Sequence, residues 1–350
     1  MHRMTSASFR VLAHALSDAG ANVDALLKHF DSGEDVYANP KGVRLELVYK
    51  VMEEAVQRTG NADLGLLAYT RAHPANLEAL GYAVMSCATL GAALQRLVDY
   101  HSLISNGFCM CLERKPHALT LIGFDITNEP TLTPRPFIDA GAAQTLGLVH
   151  WLLPNHKPRP LAAAFTYPEP EDTRLLQRLL GDNLQFDAPH NSLTFSASDC
   201  AIALPSADPA LDVLHVEYAR TRLNQLLNGS MTAQVRRVLS ERLAQGGSSN
   251  LDHIAQVVGV SARSLQRRLG DEDMHFSALQ DEARLMLAHN FLRNSNRSVK
   301  YIGALLGFRD QSSFHKACLR WFGMTPGRYR ARNVATTDGS GRVRTLALTT

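Results

Sequence analysis

The feature that most limits what this chain can become is a short pattern written twice near its C-terminal end. One copy runs Ile254-Ala255, Gly259-Val260-Ser261, Leu265-Gln266-Arg267-Arg268-Leu269; the other runs Ile302-Gly303, Gly307-Phe308, Phe314-His315-Lys316. The two glycine turns are 48 residues apart, and Leu265 and Phe314 are 49 apart. Each copy describes a short helix, a turn at a glycine and a second helix crossing the first, with a small residue, Ala255 or Gly303, at the close approach. Ser261 and Asp310 stand where an N-cap is wanted, because their side-chain oxygens accept from backbone N–H groups of the next turn. The second helix then buries Leu265 with Leu269, or Phe314 with Ala317. It turns Arg263, Gln266 and Arg267, or Gln311, Ser312, His315 and Lys316, towards solvent.

Those exposed types suit double-stranded DNA. Arginine grips guanine O6 and N7 with two hydrogen bonds, and glutamine does the same to adenine N6 and N7. A single helical hairpin fits any all-α protein. Two of them on one body, about one DNA turn or roughly 34 Å apart, fit successive major grooves on one face of a duplex.

Charge is distributed to match. Residues 1–240 hold 20 Lys and Arg against 24 Asp and Glu, whereas residues 241–350 hold 16 against 9. The basic excess is confined to the doubled pattern, which favours nucleic acid over a merely solvated face. No apolar run approaches the ~18 residues of a membrane span. The first twenty residues lack the apolar core of a signal peptide, so a cytoplasmic location is expected. Five scattered cysteines, Cys87, Cys109, Cys111, Cys200 and Cys318, do not suit a disulfide framework. Cys109 and Cys111 alternate along a strand-like run with no second pair at metal-ligand spacing and read as core residues, so no metal or other cofactor is expected.

Along the chain, helical periodicity fills residues 6–30 and 43–59 and continues through 64–70 and 77–85. Thr89 reads as the cap of a helix carrying Leu94, Leu97 and Val98. Runs at 108–113 and 118–126 flanking Arg114-Lys115-Pro116-His117 predict a β-hairpin. A helix over 136–153, a strand over 161–167, a helix over 171–180 and strand pieces at 184–186 and 192–195 complete an α+β domain over residues 1–205. Asp208-Pro209 caps a linker helix in 206–230, with Leu211, Leu214, Tyr218 and Gln225 or Leu226 near heptad spacing, which suits packing either on its own domain or on a second subunit. Residues 231–332 read as all-α, with a long helix over 276–292 holding both copies apart through a stripe of Phe276, Leu279, Ala283, Leu287 and Phe291. Residues 333–350 read as a disordered tail.

Gln311-Ser312-Ser313-Phe314, Trp321-Phe322-Gly323-Met324-Thr325-Pro326 and Tyr329-Arg330, with Gly307-Phe308 upstream, resemble the signature of AraC/XylS-type transcription regulators over about residues 235–332. Leu64-Gly65-Leu66, Leu80-Gly81-Tyr82, Thr89-Leu90-Gly91 and Phe186-Asp187-Ala188-Pro189-His190-Asn191 are similar to the effector-binding domain of the ornithine-utilisation and virulence-regulator branch. The resemblance implies an arabinose-binding-like sensor domain followed by two helix-turn-helix units joined by a long helix. It implies a regulator, an activator in the expected case, that binds promoter DNA, contacts RNA polymerase, responds to a small-molecule effector and forms a homodimer. By position, Arg263, Gln266 and Arg267 and then Gln311, Ser312, His315 and Lys316 are the base-reading candidates. Asp273 stands where the family usually has glycine, but aspartate tolerates left-handed backbone, so the turn is expected to survive. Lys316 replaces a commoner arginine, which favours a phosphate contact there.

Two other readings compete. A ligand-independent repressor or architectural DNA protein would not need a first domain as large as residues 1–205. An enzyme with an appended DNA-binding domain would need chemistry this sequence does not supply: no cysteine sits in the Pro-Cys-His-Arg setting of the alkyl-transfer fusions, no glycine-rich phosphate loop is present, and no catalytic residue is expected. Tyr100, Phe108, Phe124, Phe137 and Trp151 are apolar residues of the first domain that suit core packing better than an effector, whose contacts the sequence leaves unknown.

Overall fold

The computed structural model describes residues 2–30, 35–125, 133–228, 230–295 and 297–334. The expected tail over 333–350 lies almost wholly outside these residues, as do Ile126 and the helix breaker Gly229. The chain divides into two compact units, Met1–Ala233 with Asp271–Met274, and Gln234–Gly270 with His275–Thr350.

The first unit begins with helices α1 (Ser6–Asp18), α2 (Val23–His29) and α3 (Leu45–Thr59). Short strands β1 (Arg3–Met4) and β2 (Val43–Arg44) pair antiparallel beside them. A 3-10 segment, Leu64–Arg71, leads to α4 (Ala79–Met85) and α5 (Leu90–Tyr100). Thr89 does cap α5, accepting from the Ala92 N–H at 3.2 Å. The hairpin forms as expected from β3 (Phe108–Lys115) and β4 (Ala118–Asp125), in a register that closes with Lys115 opposite Ala118. After α6 (Arg135–Leu152) come β5 (Ala162–Ala164), α7 (Arg174–Leu180), β6 (Leu184–Gln185), β7 (Asn191–Ser196) and α8 (Ala197–Cys200). The five strands assemble in the order β3-β4-β7-β5-β6, antiparallel except for the β5–β6 pair.

Two hydrophobic cores result, one of α1, α2 and α3, the other of the sheet with α4, α5 and α7. Helix α6 serves both, giving Ala140 to the first and Ile138, Leu146 and Val149 to the second. The 3-10 segment packs so closely on α6 that a Cβ on Gly65 would stand 2.1 Å from the Pro136 carbonyl oxygen, closer than any atom can sit. Helix α9 (Pro209–Asn228) follows, with Asp208 Oδ1 accepting from the N–H groups of Ala210 (2.9 Å) and Leu211 (3.0 Å). It lies against α4 and α5, where Asp212 takes two hydrogen bonds from Arg96 and His215 bonds the Ser86 hydroxyl.

A charged group is buried at the start of α6. Asp139 has no exposed surface; it accepts from the Tyr167 hydroxyl, and the Arg135 Nε lies 3.1 Å from its Oδ2 without hydrogen-bond alignment. Arg135 also pairs with Asp63. Burial pushes the Asp139 carboxyl up to about 6, against the pull of Tyr167 and Arg135.

The second unit is helical: α10 (Met231–Ala244), α11 (Leu251–Val257), α12 (Ala262–Asp271), α13 (Phe276–Asn294), α14 (Val299–Leu305), α15 (Gln311–Phe322) and α16 (Pro326–Val334). The stripe expected on the long helix is displaced. Leu279, Ala283, Leu285, Ala288 and Leu292 are buried together with the polar Glu282 and His289, whereas Phe276, Leu287 and Phe291 are only half-buried. The reason is that α13 has neighbours around much of its circumference and buries more than one face, so a single apolar stripe does not describe it.

Candidate nucleic-acid interface and effector cavity

Both copies of the doubled pattern fold by the same local rules. Asn250 caps α11 by accepting from the His253 N–H at 2.9 Å, and Ser298 caps α14 by accepting from Tyr301 at 3.1 Å. Gly259 and Gly307 turn the chain with φ of 75° and 73°, left-handed values that disfavour a Cβ. Ser261 then caps α12 through the Ser264 N–H at 3.2 Å, and Asp310 caps α15 through Ser313 at 2.7 Å. The Ser313 N–H holds the Asp310 carboxyl below the ordinary aspartate range. At the helix crossing of the second copy, Gly303 leaves room for the Phe314 ring, which a Cβ would meet at 3.2 Å. Asp273 adopts φ 55°, so the turn before α13 keeps its left-handed geometry without glycine.

The two second helices sit on buried anchors, Leu265 and Leu269 under α12, Phe314, Ala317 and Cys318 under α15. Above them Arg263, Gln266 and Arg267 are exposed. Among the described residues none of the three makes an intramolecular hydrogen bond or ion pair, so their donors are uncommitted. Arg268, which the sequence pattern quoted without assigning it a role, is exposed on the same helix. On α15, Gln311, Ser312 and Lys316 are exposed, while His315 is half-buried with its Nε2 3.5 Å from the Gln311 amide nitrogen. The structure brings the candidates of each copy onto one helix face.

One stretch of α13 fastens the elements around it. Gln280 Nε2 donates to the Ser249 carbonyl just before α11 (2.5 Å), and Asp281 accepts from Arg320 Nη2 (2.5 Å) and Trp321 Nε1 (2.9 Å) of α15. Glu282 takes two hydrogen bonds from Arg236 of α10, at 2.7 and 3.0 Å. Arg284 donates to the Leu306 and Gly307 carbonyls at the end of α14, its guanidinium 4.9 Å from the Phe308 ring centre. None of these partners is local in sequence, which is why pattern reasoning passed over them.

In the first unit a cavity of about 230 Å³ lies between the two hydrophobic cores. Helix α6 forms one wall with Phe137, Ala142, Gln144 and Leu148, and the sheet faces it with residues such as Leu121 and Phe165. Phe108, Phe124 and Phe137, three of the five apolar residues named from sequence, line it; Tyr100 and Trp151 do not. Trp151 packs instead on the His73 ring, 5.0 Å between centres. Among the described residues no group of three or more His, Cys, Asp or Glu is placed to hold a metal, and no helix is long and apolar enough to cross a membrane.

Known proteins share both units. Residues 20–204 match the arabinose-binding N-terminal domain of AraC transcription regulators, and residues 254–332 match a helix-turn-helix domain. The chain is 25% identical over 321 residues to the ornithine utilization regulator of Pseudomonas aeruginosa, covering 91% of this chain and 94% of that one. It is 34% identical over 126 residues to the transcriptional regulator VirS of Mycobacterium tuberculosis, 36% of each chain. With an effector domain matched over more than half its length, a doubled helix-turn-helix and relatives named as regulators, not enzymes, this chain belongs to the AraC family of DNA-binding transcription regulators.

Proposed function

We propose that α12 and α15 enter successive major grooves of promoter DNA, with Arg263, Gln266 and Arg267 reading bases and Gln311, Ser312, His315 and Lys316 forming a weaker second contact weighted towards phosphates. The observation that carries this is the uncommitted Arg-Gln-Arg face of α12 above its buried leucines. The α15 face differs: it holds one compact cation, Lys316, and a Gln311–His315 pair already in mutual contact range. Arg267→Ala is expected to weaken binding to the specific operator by ~1–3 kcal/mol and to relax base choice at one position. Electrophoretic mobility shifts on the operator and on random DNA measure both; an equal loss on the two would make Arg267 a phosphate contact.

The same reading has the first unit receive a small-molecule effector, and the bound chain act on RNA polymerase in the cytoplasm. Run-off transcription with purified polymerase tests the last step, and a transcript level indifferent to the chain would count against it. Dimerisation is assigned to α9, which leaves Leu211, Leu214 and Tyr218 44%, 59% and 53% exposed at three- and four-residue spacing. Leu214→Glu is expected to shift the full chain from dimer to monomer in sedimentation equilibrium. An unchanged mass would remove α9 as the contact.

A further inference from the structure

The α6 cavity has a composition that selects its ligand. Among the described residues its lining contains no Asp, Glu, Lys or Arg, and its one imidazole, His73, is exposed with Nδ1 accepting from the Ala75 N–H at 3.1 Å, so a bound zwitterion or anion would lose its hydration with no buried opposite charge to meet it. Its polar side chains are mostly committed: the Asn76 amide donates to the Arg71 carbonyl, Asn191 Oδ1 accepts from the Thr166 N–H, and the Thr145 hydroxyl bonds the Gly141 carbonyl. Among the described residues, Gln144 Nε2 and Thr133 Oγ1 are buried without a hydrogen-bond partner, and both residues line this cavity. Native interiors rarely leave such groups unmet, and the acceptor of a bound ligand would meet them. The pocket opens to solvent on one side, so its volume sets the size of the ligand part that it encloses. A cavity of about 150 Å³ holds benzene, so this one takes a ring with a short substituent, roughly nine heavy atoms.

We propose that this cavity is the effector site and that its ligand is an uncharged compound with a ring-sized apolar body and one hydrogen-bond acceptor held by the Gln144 amide. The inference rests on the reading that the first unit receives a small molecule, and it narrows that reading to a chemical class. The cations of the adjoining depression do not alter the class. Arg10, His14 and Arg71 border a neighbouring depression that shares Val11 and Asn76 with the cavity. There Arg71 is held by two hydrogen bonds to Asp18, 2.6 and 2.7 Å, and Arg10 donates to the Tyr37 carbonyl. A charged amino acid of the same size, such as ornithine, does not fit this lining.

The test is thermal unfolding of the full chain titrated with acetophenone, benzoate and L-ornithine, three probes of equal heavy-atom count and different charge. Acetophenone is expected to raise the melting temperature in a saturable way, as any ligand of the native state must. The shift should vanish in Ala142→Phe, whose ring occupies the cavity. Gln144→Leu, which removes the orphaned donor at similar volume, should weaken acetophenone about tenfold while leaving toluene, which has no acceptor, unaffected. A shift from benzoate or ornithine that Ala142→Phe abolishes would keep the cavity as effector site and overturn the uncharged class. No shift sensitive to Ala142→Phe from any probe would overturn the cavity as a ligand site, with DNA binding judged separately by the Arg267→Ala measurement.

Discussion

Phe314→Ala is expected to lower the stability of the second unit by about 3–5 kcal/mol, the usual cost of deleting a fully buried phenylalanine. The ring has no exposed surface, and it fills the space that Gly303 leaves open at the helix crossing. It also packs 5.2 Å from the Phe308 ring, which in turn lies under Arg284. Relaxation cannot easily close the gap, because α14 and α15 are each tied to α13. A loss of that size is comparable to the whole stability of a small domain. The chain has two tryptophans, Trp151 and Trp321, so a Trp151→Phe background lets urea unfolding followed by fluorescence report the second unit through Trp321. A loss under about 1 kcal/mol would mean that the crossing is not held by this ring.

The second large effect is a pH dependence. The Asp139 carboxyl titrates near 6 in the folded chain and near 3.8 when unfolded, so the native state binds the proton more tightly. Its contribution is therefore fully present below about 3.8 and is lost as pH rises through about 6. The full span is about 3 kcal/mol, of which roughly 1 kcal/mol falls between pH 5 and 7. Asp139→Asn cannot titrate. The stability of the wild type relative to Asp139→Asn is thus expected to fall by that amount across this window, measured by denaturant unfolding of the first unit. A constant difference would place the Asp139 carboxyl in its ordinary range.

Much of this protein was legible because its cues are local. Thr89, Asp208, Ser261 and Asp310 each cap the helix that follows them, since a cap depends only on the next three residues. The left-handed turn at Asp273 and the hairpin closing at Lys115 and Ala118 are local too. What escaped depends on partners far away in sequence. The β1–β2 pair joins Arg3 to Arg44 through two residues on each side, too short for any alternation to show. Glu282 looks like a solvent-facing helix residue until Arg236 comes to it from α10. The cavity was half visible: Phe108, Phe124 and Phe137 were named as apolar, but nothing in their spacing separates a ring lining a void from a ring filling one. Gln144 gave no signal, because a glutamine without a partner is recognisable only once its neighbours are in place.

The stretch of α13 that carries Gln280, Asp281, Glu282 and Arg284 has a consequence for the DNA as well as for the protein. A helix of 19 residues is a rod about 28 Å long, and this one is bonded to the approach of α11 and to both helices of the second copy. In the proposed binding mode, α12 and α15 held by one rod cannot rotate independently about a duplex. The angular phase between the two operator segments then becomes part of what is recognised. Inserting about five base pairs between them carries the second segment to the far side of the helix, and inserting about ten restores its side but moves it out of reach. Promoters read in this mode would be constrained in the length of a sequence that the protein never reads.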